Sequence, residues 1–115
     1  MIYFIVNGLS GKGKGARTAS QIETILKEHD FKYKMVFTKH CKHAIELAAQ
    51  LSKEPDCSGI VAVGGDGTFS EVLNGLDLNI PMGVIPSGSG NDFMRVFEKK
   101  ESLEEILEPI ISGRL

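Results

Sequence analysis

Gly59-Ile60-Val61-Ala62-Val63-Gly64-Gly65-Asp66-Gly67-Thr68-Phe69-Ser70-Glu71-Val72-Leu73 is the stretch whose reading decides the fold. An apolar run of strand length, Gly59 to Val63, passes through a glycine turn directly into a helical pattern. The turn delivers one carboxylate, Asp66, and one hydroxyl, Thr68, to the end of a buried strand. Glycines let a backbone take positive φ and approach an anion closely, and successive amide N–H groups in such a turn form an anion-binding concavity. A helix beginning near Thr68 aims its first N–H groups and the positive end of its dipole at the same point. Together these features outline a phosphate site. A carboxylate beside bound phosphate is repelled unless it holds a metal ion or accepts a proton, so Asp66 is the candidate catalytic residue and the candidate metal ligand. The turn also has a purely local reading, because Thr68-Phe69-Ser70-Glu71 fits a capping box.

Outward from this turn the chain alternates strand and helix. Ile2 to Val6 is a short apolar run ended by Asn7-Gly8, and Ile22, Ile25 and Leu26 mark a helical face between about Ala16 and His29. Tyr33 to Phe37 is the second predicted strand. Ala44, Leu47, Ala48 and Leu51 recur at i, i+3, i+4, i+7, an amphipathic helix that Pro55 cannot continue. Phe69, Val72, Leu73 and Leu76 stripe the helix after the turn, Gly83-Val84-Ile85 is a fourth strand, and Ser102-Leu103-Glu104-Glu105 announces a last helix through a second capping box. That helix carries Leu103, Ile106, Leu107 and Ile110 on one face. Such alternation predicts crossover units: an α/β fold in three layers, a parallel sheet with helices on both faces. Ligands then bind beyond the carboxyl ends of the strands. Four glycine- and hydroxyl-bearing segments fall at that edge: Asn7 to Gly15, Thr38, the Gly64–Thr68 turn, and Pro86-Ser87-Gly88-Ser89-Gly90-Asn91-Asp92.

Composition narrows the classes of function. A chain of 115 residues with a net charge of −2 makes one domain and offers no basic field for a nucleic-acid backbone, so nucleic acid is not an expected partner. Met1 to Val6 is too short for a signal-peptide core and lacks a basic leader, and no apolar stretch approaches a membrane span. With Cys41 and Cys57 lacking CxxC spacing, a cytoplasmic location is expected. His40, Cys41 and His43 cluster, but positions 40 and 41 point differently on a helix and no second ligand pair has zinc spacing. The expectation there is a solvated helix start.

Two familiar phosphate motifs are near misses. Gly8 to Lys14 matches GxxxxGK, yet Gly15 follows where a P-loop places Ser or Thr on magnesium. Gly11-Lys12-Gly13-Lys14-Gly15-Ala16 sets a glycine one position early for GxGxxG, and the second strand closes on Thr38 rather than on an acidic residue. A nicotinamide or flavin domain is therefore disfavoured, and Lys12 and Lys14 retain a reading as phosphate counter-charges.

Three segments in order, Asn7-Gly8-Leu9-Ser10-Gly11-Lys12-Gly13, Gly64-Gly65-Asp66-Gly67-Thr68-Phe69-Ser70-Glu71-Val72-Leu73-Asn74-Gly75 and Pro86-Ser87-Gly88-Ser89-Gly90-Asn91-Asp92-Phe93, resemble the signatures of the diacylglycerol kinase catalytic domain, a family that includes sphingosine kinases and bacterial lipid kinases. The Gly64–Thr68 segment alone also fits NAD kinases. Gly8 stands where proline is common and Ser89 where threonine is common. The resemblance implies a phosphofructokinase- or NAD-kinase-like nucleotide lobe that binds ATP with Mg2+ and transfers the γ-phosphoryl group to a lipid hydroxyl. It implies that Asn7, Ser10 and Gly11 contact phosphate in a nucleotide-binding segment that includes Gly8 and Leu9, that Thr38 lies near the nucleoside, and that Gly65, Asp66, Gly67, Thr68, Phe69, Ser70 and Glu71 form the phosphate turn. Ser89 donates to the nucleotide on the same reading. Asp66 acts through magnesium or as base toward the alcohol, and Asn91 and Asp92 either take part or cap a helix. Family members are about twice this length or more, with a second, β-rich domain for the lipid, which Ser112-Gly113-Arg114-Leu115 looks placed to enter. Residues 1–115 thus correspond to the nucleotide lobe, with peripheral membrane contact through that second domain and a homo-oligomer allowed. A kinase for a soluble substrate and a non-catalytic nucleotide-binding module are the alternatives.

Overall fold

A computed structural model of the chain describes residues 1–7, 14–29, 31–40, 42–77, 79–86 and 103–111. Strands β1 (Ile2–Val6), β2 (Tyr33–Phe37), β3 (Gly59–Gly64) and β4 (Met82–Pro86) alternate with helices α1 (Lys14–Leu26), α2 (His43–Ser52) and α3 (Asp66–Gly75), and a helix α4 spans Leu103–Ile111. The strands form one sheet in the order β2-β1-β3-β4, with every neighbouring pair parallel. Parallel pairing puts all four carboxyl ends on one edge, as the alternation of elements predicts.

Side chains alternate across the sheet, and the two faces are covered by different helices. Ile2, Phe4 and Val6 of β1, with Val61 and Val63 of β3, pack with Ala19, Ile22 and Leu26 of α1 and with Leu107 and Ile110 of α4. Tyr3 and Ile5 of β1, with Ile60 and Ala62 of β3, pack with Ala44, Leu47 and Ala48 of α2 and Val72 of α3. This is the expected three-layer architecture. β1 and β3 are the central strands, and all residues of both are buried, which is why they read as continuous apolar runs rather than alternating ones. Edge strand β2 is half-buried to exposed throughout.

Three details depart from the sequence reading. α1 starts at Lys14 and ends at Leu26, earlier at both ends than expected. Leu73 is 63 % exposed, so the core-facing stripe is Phe69 and Val72 of α3 with Leu76 just after it. The helix turns through its contact with α2 and the sheet at 69, 72 and 76, leaving position 73 on the far side. Ser102 and the side chains of Leu103 and Ile106 lie outside the described residues.

α2 and α3 lie unusually close at Gly75. A Cβ built there would stand 2.1 Å from the Ile45 carbonyl oxygen and 3.2 Å from the Ala48 Cβ. The Ser52 hydroxyl fastens the same joint, donating to the Ala48 carbonyl at 2.5 Å and accepting from the Asp77 N–H at 3.2 Å. Gly75→Ala should therefore destabilise the chain. A better helix former gains up to about 1 kcal/mol, but intrusion on a backbone carbonyl that cannot rotate aside costs about 1–3 kcal/mol or more. A urea midpoint equal to that of the parent would show that the two helices part without cost.

Tyr3 donates its phenol proton to an Asp56 carboxylate oxygen at 2.8 Å. That bond, reinforced by burial, pushes its pKa up to about 12, and burial beside Glu23 raises Tyr33 as well. Both tyrosines titrate near about 10 in an unfolded chain. The Tyr3–Asp56 contribution to stability should therefore be complete below about pH 10 and be lost as the pH climbs toward 12. Phenolate absorbance should rise later in the native chain than in urea, and superimposable titration curves would refute the assignment.

Candidate functional site

Ligands in open parallel sheets bind where successive connections leave a strand in opposite directions. Here the chain leaves β1 for β2 on one side and returns past β1 to β3 on the other, so that point lies between the ends of β1 and β3. Asn7 follows β1 directly, and its backbone N–H donates to the Val63 carbonyl at 2.9 Å. Thr38 follows β2; its N–H donates to the Val6 carbonyl at 2.9 Å, and its hydroxyl meets the Asn7 Oδ1 at 3.5 Å. Thr38 is buried. Backbone bonds thus hold the ends of three strands together and bring Asn7 and Thr38, distant in sequence, side by side.

The glycine turn adopts a different geometry from the one its sequence suggests. α3 begins at Asp66 with Gly65 as its N-cap, without a side-chain capping bond, and its first bond runs from the Phe69 N–H to the Gly65 carbonyl at 3.0 Å. Thr68 is therefore inside the first turn, and the capping box of the alternative, purely local reading does not form. The cause is visible at Gly64. A Cβ there would lie 2.6 Å from the Thr68 Oγ1 and 3.2 Å from the Asn7 Cβ. The buried Thr68 side chain folds over β3 into the space that the missing side chain leaves. Nor do the glycines provide positive φ: Gly65 is extended at φ −108°, and neither Gly64 nor Gly67 lies in the left-handed region. A Cβ at Gly65 or Gly67 would meet nothing within 4 Å. Among the described residues they leave open the start of a helix, where the amides of an α-helix's first turn have no partner within the helix. That arrangement suits an anion approaching along the dipole.

Beside this N-terminus lies a cleft of about 210 Å³ lined by Asn7, Thr38, His40, Lys42, Thr68 and Glu71, among others. It falls short of the roughly 300–1,000 Å³ typical of ligand-enclosing pockets, so the described residues make a wall rather than an enclosure. Of the residues predicted from sequence, Asn7, Thr38, Thr68 and Glu71 share this cleft. Gly65 to Gly67 form the adjoining helix start, and Asp66 is exposed at its first position, outside the cleft lining. Ser70 is exposed. Phe69 packs against the core between α2, α3 and the sheet, and its amide is used within the helix. Gly8, Leu9, Ser10, Gly11, Lys12, Ser89, Asn91 and Asp92 lie outside the described residues.

Sequence reasoning missed His40 and Lys42 on the cleft wall. Lys42 is the N-cap of α2 and has φ 66°. This left-handed conformation is uncommon for a residue other than glycine and is not signalled by a lysine. The solvated helix start expected at positions 40 to 43 is what the structure shows, with His40 and Lys42 exposed ahead of α2 at His43; the addition is that the His40 ring stacks on the His43 ring with centroids 4.3 Å apart.

Comparison with known proteins gives this geometry a family. The model of the diacylglycerol kinase catalytic domain matches residues 1–115. The chain belongs to the diacylglycerol kinase catalytic domain family. It is 33 % identical over 114 residues to a diacylglycerol kinase of Staphylococcus saprophyticus, covering 96 % of this chain and 37 % of the relative. It is 36 % identical over 99 residues to sphingoid long-chain bases kinase 1 of Arabidopsis thaliana, covering 78 % of this chain and 13 % of the relative. A crystal structure of a diacylglycerol kinase from Bacillus anthracis superposes with a TM-score of 0.73 at 25 % identity, over 96 % of this chain and 41 % of that one. The chain thus spans well under half the length of these diacylglycerol kinase family relatives. All three motif segments that carry the resemblance fall within the matched residues.

Proposed function

We propose that this chain is the nucleotide-binding lobe of a lipid kinase, holding ATP for transfer of its γ-phosphoryl group to a lipid hydroxyl. One observation carries the reading: Asn7, Thr38 and the glycine-flanked N-terminus of α3 meet at the switch point of a sheet in a chain of this family. Phosphoryl transfer asks a protein mainly to position phosphates and to neutralise charge. The α3 amides and dipole meet the first demand on an anionic chain. Asn7 and Thr38 offer polar groups beside it, within the cleft that takes the rest of the nucleotide. The oxygen donors of Asp66 and Glu71 suit Mg2+, which is commonly held by one or two carboxylates together with substrate phosphates. When bound, that ion would spread phosphate charge. Asp66 either holds it or takes the proton of the attacking alcohol.

The second, lipid-binding wall belongs to the remainder of a longer protein on this reading, consistent with the share of each relative that the chain covers. The test is phosphorylation of vesicles containing diacylglycerol and sphingoid base by the full-length protein, with radiolabelled ATP. Labelled lipid is the expected product. Label transferred only to water-soluble acceptors would replace the lipid reading with that of a soluble-substrate kinase.

A further inference from the structure

The geometry points to a second cation site at the start of α2, formed by His40 of the cleft wall with His43 and Glu46 and suited to Zn2+ or a similar borderline transition ion. One ring nitrogen of each histidine and a carboxylate oxygen of Glu46 lie within 4.8 Å of one another. His43 and Glu46 are one turn apart on α2, and His40 is brought back over that turn by the left-handed Lys42. The turn is closed by a bond from the His43 N–H to the His40 carbonyl at 3.1 Å. The imidazoles stack at 4.3 Å as a result. Tetrahedral zinc with ligands near 2.0–2.1 Å brings its donors to within about 3.3 Å of one another. The three side chains are exposed or half-buried, and closing the difference takes a rotation of their rings and carboxylate. Two imidazoles and one carboxylate leave a fourth position for water.

The ligand set also states which ions it takes. Imidazole nitrogen favours Zn2+, Cu2+ or Ni2+, whereas Mg2+ favours an all-oxygen shell. This site is thus chemically distinct from the Mg2+ proposed for Asp66. Loading has one readable consequence. The Lys39 N–H donates to the His43 Nδ1 at 2.8 Å. An ion on Nδ1 displaces that amide, and an ion on Nε2 moves the ring proton to Nδ1, against the same N–H. Either way the Lys39–His43 bond breaks.

Zn2+ binding to the 115-residue chain, measured by competition with a chromophoric chelator, tests this directly. His40→Gln and His43→Gln should each weaken Zn2+ at least tenfold, while the Cys41→Ser/Cys57→Ser double variant should bind as the parent does. The Lys39 amide resonance should shift on titration of the parent with Zn2+ and stay in place with Mg2+. Unchanged affinity in both histidine variants, affinity lost with the cysteines, or Zn2+ binding that leaves the Lys39 amide unmoved would each overturn the site. None of these outcomes depends on whether the chain binds nucleotide.

Discussion

Asp66→Asn in the full-length protein should lower lipid phosphorylation by at least about a hundredfold, the lower end for loss of one positioned acid–base group. The fold should survive. Asp66 is exposed at the first position of α3, and asparagine has nearly its shape. The charge lost near a helix N-terminus is worth about 0.3–1 kcal/mol. A urea midpoint close to that of the parent would assign a hundredfold effect to the chemistry. The two roles left open for Asp66 separate in the same experiment. If the carboxylate holds Mg2+, the variant should recover part of its rate as Mg2+ is raised. If it takes the alcohol's proton, excess Mg2+ should do nothing and the acidic limb of the pH–rate profile should disappear. Turnover within a few-fold of the parent would remove Asp66 from the mechanism.

The parts of the molecule that were legible in sequence are those fixed by burial. β1 and β3 are central strands covered on both faces, so every residue is apolar or glycine and the runs declare themselves. α2 shows its face through Ala44, Leu47 and Ala48 because the same residues pack on the sheet. The site's location followed from topology, since parallel strands put Asn7, Thr38 and Gly64 at one edge whatever their side chains do. Fine geometry at that edge was not legible, for steric reasons that involve residues far apart in sequence. Thr68 and Glu71 have the spacing of a capping box. What prevents it is the space above Gly64, next to Asn7, which only the assembled sheet defines. Lys42 is the sharper case. Its left-handed backbone brings His40 to the cleft wall and over His43, and nothing local to a lysine foretells it. Leu73 fits the helical period as well as Phe69 and Val72 do, and the direction from which α2 packs is what leaves it in solvent.

The 115-residue chain by itself should bind ATP weakly and phosphorylate no lipid above background. Its donors lie along one edge of the sheet, and among the described residues the cleft of about 210 Å³ falls short of an enclosure. Water then reaches the transferring phosphoryl group, and nothing aligns an alcohol behind it. Alignment of bound reactants alone accounts for about 7–11 kcal/mol in well-oriented systems, so a lobe that binds one reactant and leaves the other free forfeits most of the acceleration. Exposure to water further weakens each electrostatic contact the α3 N-terminus makes. Titration calorimetry should therefore detect ATP on the isolated chain where the vesicle assay detects no product, and full-length protein should give both signals. Robust Mg2+-dependent lipid phosphorylation by the purified 115-residue chain would mean that the catalytic boundary falls inside these residues. The acceptor would then have to be positioned by the same edge of the sheet that holds the nucleotide.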